Sequence, residues 1–173
     1  FVPDPQAAAA LLDERVRAIV LVTPNNPTGA VYPPATIRTF AELCAERGLA
    51  LVLDETYRDF LPPEAGRQHD LLDRPDWPET AIQLYSFSKS YCIPGHRAGA
   101  IIAGERLLAE VAKLMDCLQI CAPRVPQLVL PWAISALSDW RAANAQDILA
   151  RAAAFRAAIA RSKGWRIGSI GAY

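Results

Sequence analysis

The sequence is poor in the residues on which disulfide-stapled and metal-binding proteins depend. Its 173 residues include four cysteines, two histidines and one methionine. The cysteines form no C-x-x-C pair and are too few for a disulfide scaffold, so we expect a protein of the reducing cytoplasm. With two histidines and no ligand spacing between them, we expect no metal site.

An excess of charge of one sign and a long apolar run are also missing. Eighteen basic residues balance eighteen acidic ones, so no overall field draws the chain to nucleic acid or to an anionic membrane. No apolar run approaches the roughly 20 residues of a membrane helix, and the first residues lack the layout of a signal peptide. We expect neither nucleic acid nor membrane as a partner. The chain also lacks an initiator methionine, and we expect it to be a piece of a longer protein.

What the sequence does contain is enough apolar residues, 52%, for one sizeable core. Apolar runs at residues 18–22, 49–53 and 81–85, the last interrupted by Gln83, are typical of strands covered on both faces. Residues 33–48 between the first two runs have helical periodicity. This order predicts an α/β fold with a mostly parallel sheet and flanking helices. A fourth strand at 100–103 follows too soon for a crossover helix, so we expect it to run antiparallel to the third.

Helices are predicted at both ends of this unit. The first begins at the N-cap Asp4 and runs to about Arg15, and two others cover about 105–119 and 127–137. The last is long, with Ser138 as N-cap and Gly164 as its stop. We expect three tryptophans to pack between helices: Trp132, Trp140 and Trp165. We expect Cys117 and Cys121 to be small side chains of the core.

Polar side chains follow each of the three buried strands. Asn26, Asp54 and Ser86 stand at or just after the strand ends, and Lys89 comes three residues after Ser86. A lysine in this position is most often a surface residue whose stem packs on apolar neighbours. The carboxyl ends of parallel strands, however, meet at one edge, where ligands bind. We therefore expect these four residues to converge.

The converging groups suit one cofactor. A lysine amine can form an imine with an aldehyde, and a carboxylate can keep a ring nitrogen protonated so that the ring withdraws electrons. An arginine and hydroxyls can bind a phosphate, while an amide and a phenol can hydrogen-bond a ring oxygen. Pyridoxal 5'-phosphate asks for all of these groups.

Four short motifs carry a resemblance to a known family. They are residues 26–29 (NPTG), 54–57 (DETY), 86–89 (SFSK) and 95–99 (GHRAG). Their order and separation resemble those of class I/II aminotransferases, the fold-type I pyridoxal-phosphate enzymes. The resemblance implies a homodimer that moves an amino group between an amino acid and a 2-oxo acid.

The resemblance also implies a role for each motif residue. Lys89 would bind the cofactor covalently and move the proton between the substrate Cα and the cofactor C4′. Asp54 would pair with the pyridine nitrogen, and Asn26 and Tyr57 would reach the ring 3′-oxygen. The phosphate would be held by Ser86 and Arg97, with Ser88 as a third donor.

Neighbouring residues allow simpler explanations. Asn25 and Thr28 are better explained as turn-formers than as ligands. Two roles stay open for Glu55: it either supports the site or touches the ligand. We expect His69 and His96 to be surface or loop residues.

The resemblance divides the chain into three parts. Residues 1–137 would be a partial cofactor-binding large domain, residues 138–163 an interdomain helix, and residues 164–173 the start of a truncated small domain. The glycine-rich loop, the ring-stacking aromatic residue and the carboxylate-binding arginine of the family are missing, so we expect the isolated chain to be inactive. Two alternatives stay open: a lyase, racemase or decarboxylase of the same fold, and an aminotransferase-like effector domain of a transcription regulator.

Overall fold

Four short strands form one sheet in chain order. In the computed structural model, which describes residues 1–170, they are β1 (Ala18–Val22), β2 (Ala50–Asp54), β3 (Ala81–Ser86) and β4 (Gly99–Ile102). β1, β2 and β3 are parallel, and β4 is antiparallel to β3. The predictions of a mostly parallel α/β sheet and of an antiparallel fourth strand are confirmed.

Helices flank this sheet, and none within residues 1–170 combines the length and apolar character that crossing a membrane requires. They are α1 (Pro5–Ala9), α2 (Pro34–Arg47), α3 (Trp77–Thr80), α4 (Phe87–Ser90), α5 (Glu105–Leu118), α6 (Arg124–Ala136) and α7 (Ser138–Ala160). Single 3₁₀ turns lie at Arg58–Phe60, Pro63–Ala65, Leu71–Asp73 and Pro94–His96.

The main core lies between α2 and one face of the sheet. Leu51 and Leu53 of β2 alternate with less buried residues and pack with Ile37 and Phe40 of α2, all of them 1% exposed or less. α2 ends where sequence periodicity predicts, because Gly48 adopts a left-handed φ of 63°. Packing of α2 therefore fixes which residues of β2 face the opposite side, and Asp54 is among them.

The opposite face of the sheet is apolar and partly open. Val20 is 60% exposed and Ile101 is 43% exposed. By strand register, Ile101 lies beside Leu84, which lies beside Asp54. The prediction that the strands are covered on both faces is therefore wrong for residues 1–170, where packing covers the α2 face.

A second, smaller cluster supports the segment after β3. Phe87 and Tyr91 pack against Leu130 and Ala133 of α6. The pairing of β3 with β4 also needs a glycine at position 99, because a Cβ on Gly99 would lie 2.9 Å from the Tyr85 carbonyl oxygen. The hairpin and α6 thus hold α4 between them.

Two helix ends differ from the sequence prediction. α1 ends at Ala9 instead of Arg15, since the Asp13 carboxylate accepts the backbone N–H of Arg15 at 2.9 Å and the chain turns toward β1. At the start of α7 the N-cap is Leu137 and not Ser138, because α6 and α7 are separated by that single residue. α7 ends at Ala160, before Gly164.

The expected packing roles of several side chains are also wrong. Trp132, Trp140 and Trp165 are 63%, 42% and 72% exposed. On α6 the buried stripe is Pro126, Leu130 and Ala133, which turns Trp132 away from the body of the protein. Cys117 and Cys121 are exposed as well. Of the proposed small-domain residues 164–173, the last three lie outside the described residues.

Candidate active site

Two of the polar residues predicted to converge, Asp54 and Ser86, end neighbouring strands. Asp54 ends β2 and is aligned with Leu84 of β3, two residues before Ser86. Because side chains alternate along a strand, Asp54 and Ser86 face the same side of the sheet, away from α2. The structure thus brings these two predicted residues to one edge and one face.

The Asp54 carboxylate is oriented by its own turn. Its Oδ1 accepts hydrogen bonds from the backbone N–H of Thr56 at 3.0 Å and from the Thr56 hydroxyl at 2.7 Å. Within residues 1–170, the hydrogen bonds to this carboxylate end on Oδ1. Oδ2 is therefore the oxygen with capacity for a further donor.

Lys89 lies on α4, directly beyond β3. Ser86 caps this short helix, its Oγ accepting the backbone N–H of Ser88 at 3.3 Å. The Lys89 Nζ lies 5.9 Å from the centroid of the Tyr57 ring. An open cavity of about 400 Å³ is lined by these two residues and by Phe60, Ser88, Cys92, Pro94 and Ile148. An amine and a phenol thus share one solvent-accessible space.

Four of the predicted site residues do not line that cavity: Asn26, Asp54, Ser86 and Arg97. Two of them, Asn26 and Arg97, are exposed. Asn26 lies in a loop held by its neighbours, since Asn25 Oδ1 accepts from the backbone N–H and the hydroxyl of Thr28 at 3.3 and 2.7 Å. This confirms Asn25 and Thr28 as turn-formers. The Arg97 guanidinium donates to the Pro94 carbonyl oxygen at 2.7 Å.

A buried polar cluster beside the site was not predicted from the sequence. The Glu55 side chain is 1% exposed and lies 3.1 Å from Nε2 of His69 and 3.3 Å from Nη1 of Arg58. It also accepts a hydrogen bond from the Gln83 amide. His69 lies in a loop, as expected, but its side chain is only 7% exposed. One signal was available: Gln83 is a polar residue in the middle of a buried apolar strand.

The cluster keeps the Glu55 carboxylate charged. Burial by itself would raise the pKa of Glu55, but hydrogen bonds from His69 and Gln83 and the positive charge nearby outweigh burial and lower that pKa. The His69 Nδ1 accepts the Leu71 backbone N–H at 3.2 Å, so its Nε2 carries the hydrogen that faces Glu55. Glu55 thus supports the site from behind and does not line the cavity.

A second network connects α7 to the residue after Lys89. Asp59 accepts hydrogen bonds from the Tyr85 hydroxyl and from Nη1 of Arg141, the latter at 3.3 Å. The Tyr85 hydroxyl also lies 2.6 Å from the Ser90 Oγ. Burial, followed by the bond to Asp59, raises the pKa of Tyr85 far above its ordinary value, so the phenol stays protonated.

The sheet and the site together define an α/β protein of the aminotransferase fold. The chain belongs to the family "Aminotransferase class I and II", whose model matches residues 1–170. No group of three or more potential metal ligands occurs in the part of the chain that the structure describes.

Curated relatives are similar over most of this chain. An aspartate/prephenate aminotransferase of Thermus thermophilus is 32% identical over 154 residues, which is 88% of this chain and 38% of the relative. An arginine–pyruvate transaminase of Pseudomonas aeruginosa is 33% identical over 122 residues, 70% of this chain and 30% of the relative. The chain therefore spans well under half the length of these relatives.

Solved structures give the same picture of the fold. Aspartate aminotransferase from Thermus thermophilus with maleate superposes with a TM-score of 0.85 at 24% identity, covering 99% of this chain and 45% of that one. N-succinyldiaminopimelate aminotransferase from Mycobacterium tuberculosis superposes with a TM-score of 0.85 at 26% identity, covering 99% and 44%. The fold is that of part of an aminotransferase.

Proposed function

We propose that this chain is the cofactor-binding central part of a longer pyridoxal-phosphate-dependent aminotransferase. The proposal rests on the cavity that Lys89 and Tyr57 share, together with Asp54 and Ser86, which face the same side of the sheet at the ends of the two strands that lead into these residues. The names of the relatives favour amino-group transfer over a lyase or decarboxylase reaction, since they are aminotransferases. The substrates would be an amino acid and a 2-oxo acid.

The donor set fits pyridoxal 5'-phosphate. When bound, that cofactor supplies an electron sink for the substrate Cα. Lys89 would hold the cofactor through its aldehyde carbon, and its amine, once the amine of an amino acid has displaced it, would move the proton at the substrate Cα. Asp54, with Oδ1 already held by Thr56, would use Oδ2 to keep the ring nitrogen protonated.

The other predicted residues would bind the cofactor's oxygens. Tyr57 and Asn26 donate to the ring 3′-oxygen. The hydroxyls of Ser86 and Ser88 and the exposed guanidinium of Arg97 donate to the phosphate, and each donation to a charged oxygen is a strong hydrogen bond. For this, Arg97 exchanges its bond to the Pro94 carbonyl for one to the phosphate.

The proposal extends to assembly and location. Apolar side chains on α5 and α6, among them Leu114 at 62% and Leu128 at 63% exposure, are available to pack against other chain segments or a second subunit. We propose a homodimer in the cytoplasm, without nucleic acid or membrane as partner.

Absorbance of the full-length protein tests the proposal. Adding pyridoxal phosphate should produce the visible band of a lysine-bound cofactor. Reduction with borohydride should then attach the cofactor irreversibly to the peptide that contains Lys89. In Lys89→Ala the band should be absent and amino-group transfer should fall by roughly 100-fold or more. Lys113→Ala is the matched control, because Lys113 is an exposed residue of α5 paired with Glu110.

Equal spectra for Lys89→Ala and the unchanged protein would contradict the proposal. Product analysis separates the reactions: a 2-oxo acid together with a new amino acid indicates transfer, whereas loss of CO₂ or of a side-chain group would point to the alternatives.

A further inference from the structure

The buried Glu55 cluster joins three segments behind the candidate site. Glu55 follows β2, Gln83 lies within β3, and His69 lies in the long connection between these strands. All three side chains are less than one-tenth exposed. Their contacts form one chain of donors and acceptors, from the Leu71 backbone N–H through His69 to Glu55, with Gln83 as the second donor.

The same segment is fixed through its backbone. The Asp54 carbonyl accepts from the Thr23 N–H at 3.0 Å, and the Glu55 N–H donates to the Leu84 carbonyl at 3.0 Å. Because side chains alternate along an extended strand, the Glu55 side chain points to the side opposite Asp54. Any rotation of the backbone between these two residues would turn both carboxylates at once.

We propose that Glu55 is a positioning residue, held by His69 and Gln83, that aims the neighbouring Asp54 carboxylate at the ring nitrogen of the cofactor. This inference rests on the proposed function, since it gives Asp54 the same target. Glu55 itself touches neither cofactor nor substrate.

A role in stability alone does not require this arrangement. A buried carboxylate carries a desolvation cost that a well-packed apolar residue of similar size would not carry. What a charged, hydrogen-bonded carboxylate adds is direction: His69, Gln83 and Arg58 all address its oxygens, so the side chain has one orientation. Orienting partners of this kind often matter about as much as the group they orient.

Glu55→Gln in the full-length protein tests the inference. The new amide has one oxygen, so its NH₂ group must face either the Nε2–H of His69 or the Nη1–H of Arg58, donor against donor. The dissociation constant of pyridoxal phosphate should rise roughly tenfold or more, and the visible band of bound cofactor should shift. Glu110→Gln is the matched control, because Glu110 is exposed and lies far from the sheet edge along α5.

A swap variant, Glu55→Gln combined with Gln83→Glu, separates positioning from mere folding. In this double variant the new amide after β2 accepts from His69 through its oxygen, and its NH₂ group donates to the new carboxylate on β3. The hydrogen bond to His69 and the one between positions 55 and 83 return, while the charge that pairs with Arg58 moves to the other strand. The swap should restore the band position and bring the dissociation constant to within about threefold of the unchanged protein.

The outcomes are distinct. An unchanged band and dissociation constant in folded Glu55→Gln would overturn the inference, as would a folded swap variant that binds as weakly as the single variant. If Glu55→Gln does not fold, the swap alone decides. Absence of a lysine-bound band in the unchanged protein would instead be the failure of the proposed function.

Discussion

At the scale of single residues, the main feature is how little freedom the Asp54 carboxylate has. Thr56 binds one of its oxygens twice, through the backbone and through the hydroxyl. On its other side, Asp54 is followed by the fully buried Glu55. A carboxylate held in this way loses little side-chain entropy when it binds a cation, which favours binding.

Thr56→Val isolates the hydroxyl in this arrangement. Valine keeps the shape and the backbone N–H but removes the 2.7 Å bond. One hydrogen bond to a charged group contributes about 1.5 kcal/mol, so the dissociation constant of pyridoxal phosphate in the full-length protein should rise roughly tenfold.

Equilibrium dialysis measures this change, and Thr56→Ser is its control because serine retains the hydroxyl. Equal weakening by valine and serine would show that packing, and not the hydrogen bond, is what matters at this position.

Sequence reasoning placed the candidate site residues in short motifs, but it missed the buried polar cluster beside them. Asp54 and Lys89 stand next to recognisable strand ends, and a strand end is a local feature. His69 is separated from Glu55 by fourteen positions of irregular chain, so no period or spacing brings the two side chains together. Their contact depends on the path of that connection, which only the folded chain defines.

At the scale of elements, an arginine on α7 links this helix to the polar residues beside Lys89. Arg141 donates to Asp59 at 3.3 Å, and its guanidinium carbon lies 5.0 Å from the centroid of the Tyr91 ring. Both partners of the ion pair are 21% exposed. Asp59 in turn binds Tyr85, which contacts the residue that follows Lys89. The long helix and the lysine turn thus share one polar network.

Arg141→Met tests how strongly this network holds α7. Methionine keeps the apolar stem but leaves Asp59 without its cation, so the free energy of unfolding of the full-length protein should fall by about 1–3 kcal/mol.

Urea unfolding measures the difference. Arg151→Met is the matched control on the same helix, because the Arg151 side chain is 73% exposed and its pair with Asp147 should contribute at most about 0.5 kcal/mol. Similar losses in the two variants would contradict a special role for Arg141.

The types of the helices and strands were predicted better than the residues at which the helices end. All four strands were found because apolar runs of this length between polar segments are distinctive. The ends of α1 and α7 were misplaced, since an aspartate turn at Asp13 and the junction of two helices at Leu137 override cap preferences. The exposure of Trp132 depends on which face of α6 packs, and hydrophobicity along the sequence does not decide that.

At the scale of the whole molecule, the sheet face opposite α2 determines how the isolated chain should behave. Its apolar side chains include Val20 on the edge strand β1 and Ile101 on the edge strand β4. An exposed apolar face bounded by open strand edges favours association between copies.

We expect the isolated 173-residue chain to self-associate and to show no amino-group transfer. Analytical ultracentrifugation should show this association, and Val20→Thr with Ile101→Thr should reduce it. In the full-length protein, where we expect this face to be covered, the same pair should lower the free energy of unfolding by about 2–4 kcal/mol.

The test is the contrast between the two proteins: the same pair of substitutions should make the isolated chain associate less and should make the full-length protein less stable. A monomeric isolated chain that catalyses transfer would contradict the prediction, and so would a full-length protein that the pair of substitutions leaves equally stable.

The close approach of Gly99 to the Tyr85 carbonyl has a consequence for the gene. Every missense change in the Gly99 codon adds at least a methyl group to the hairpin whose connection carries Lys89. Inherited variation at this solvent-exposed position should therefore be as restricted as variation in the interior.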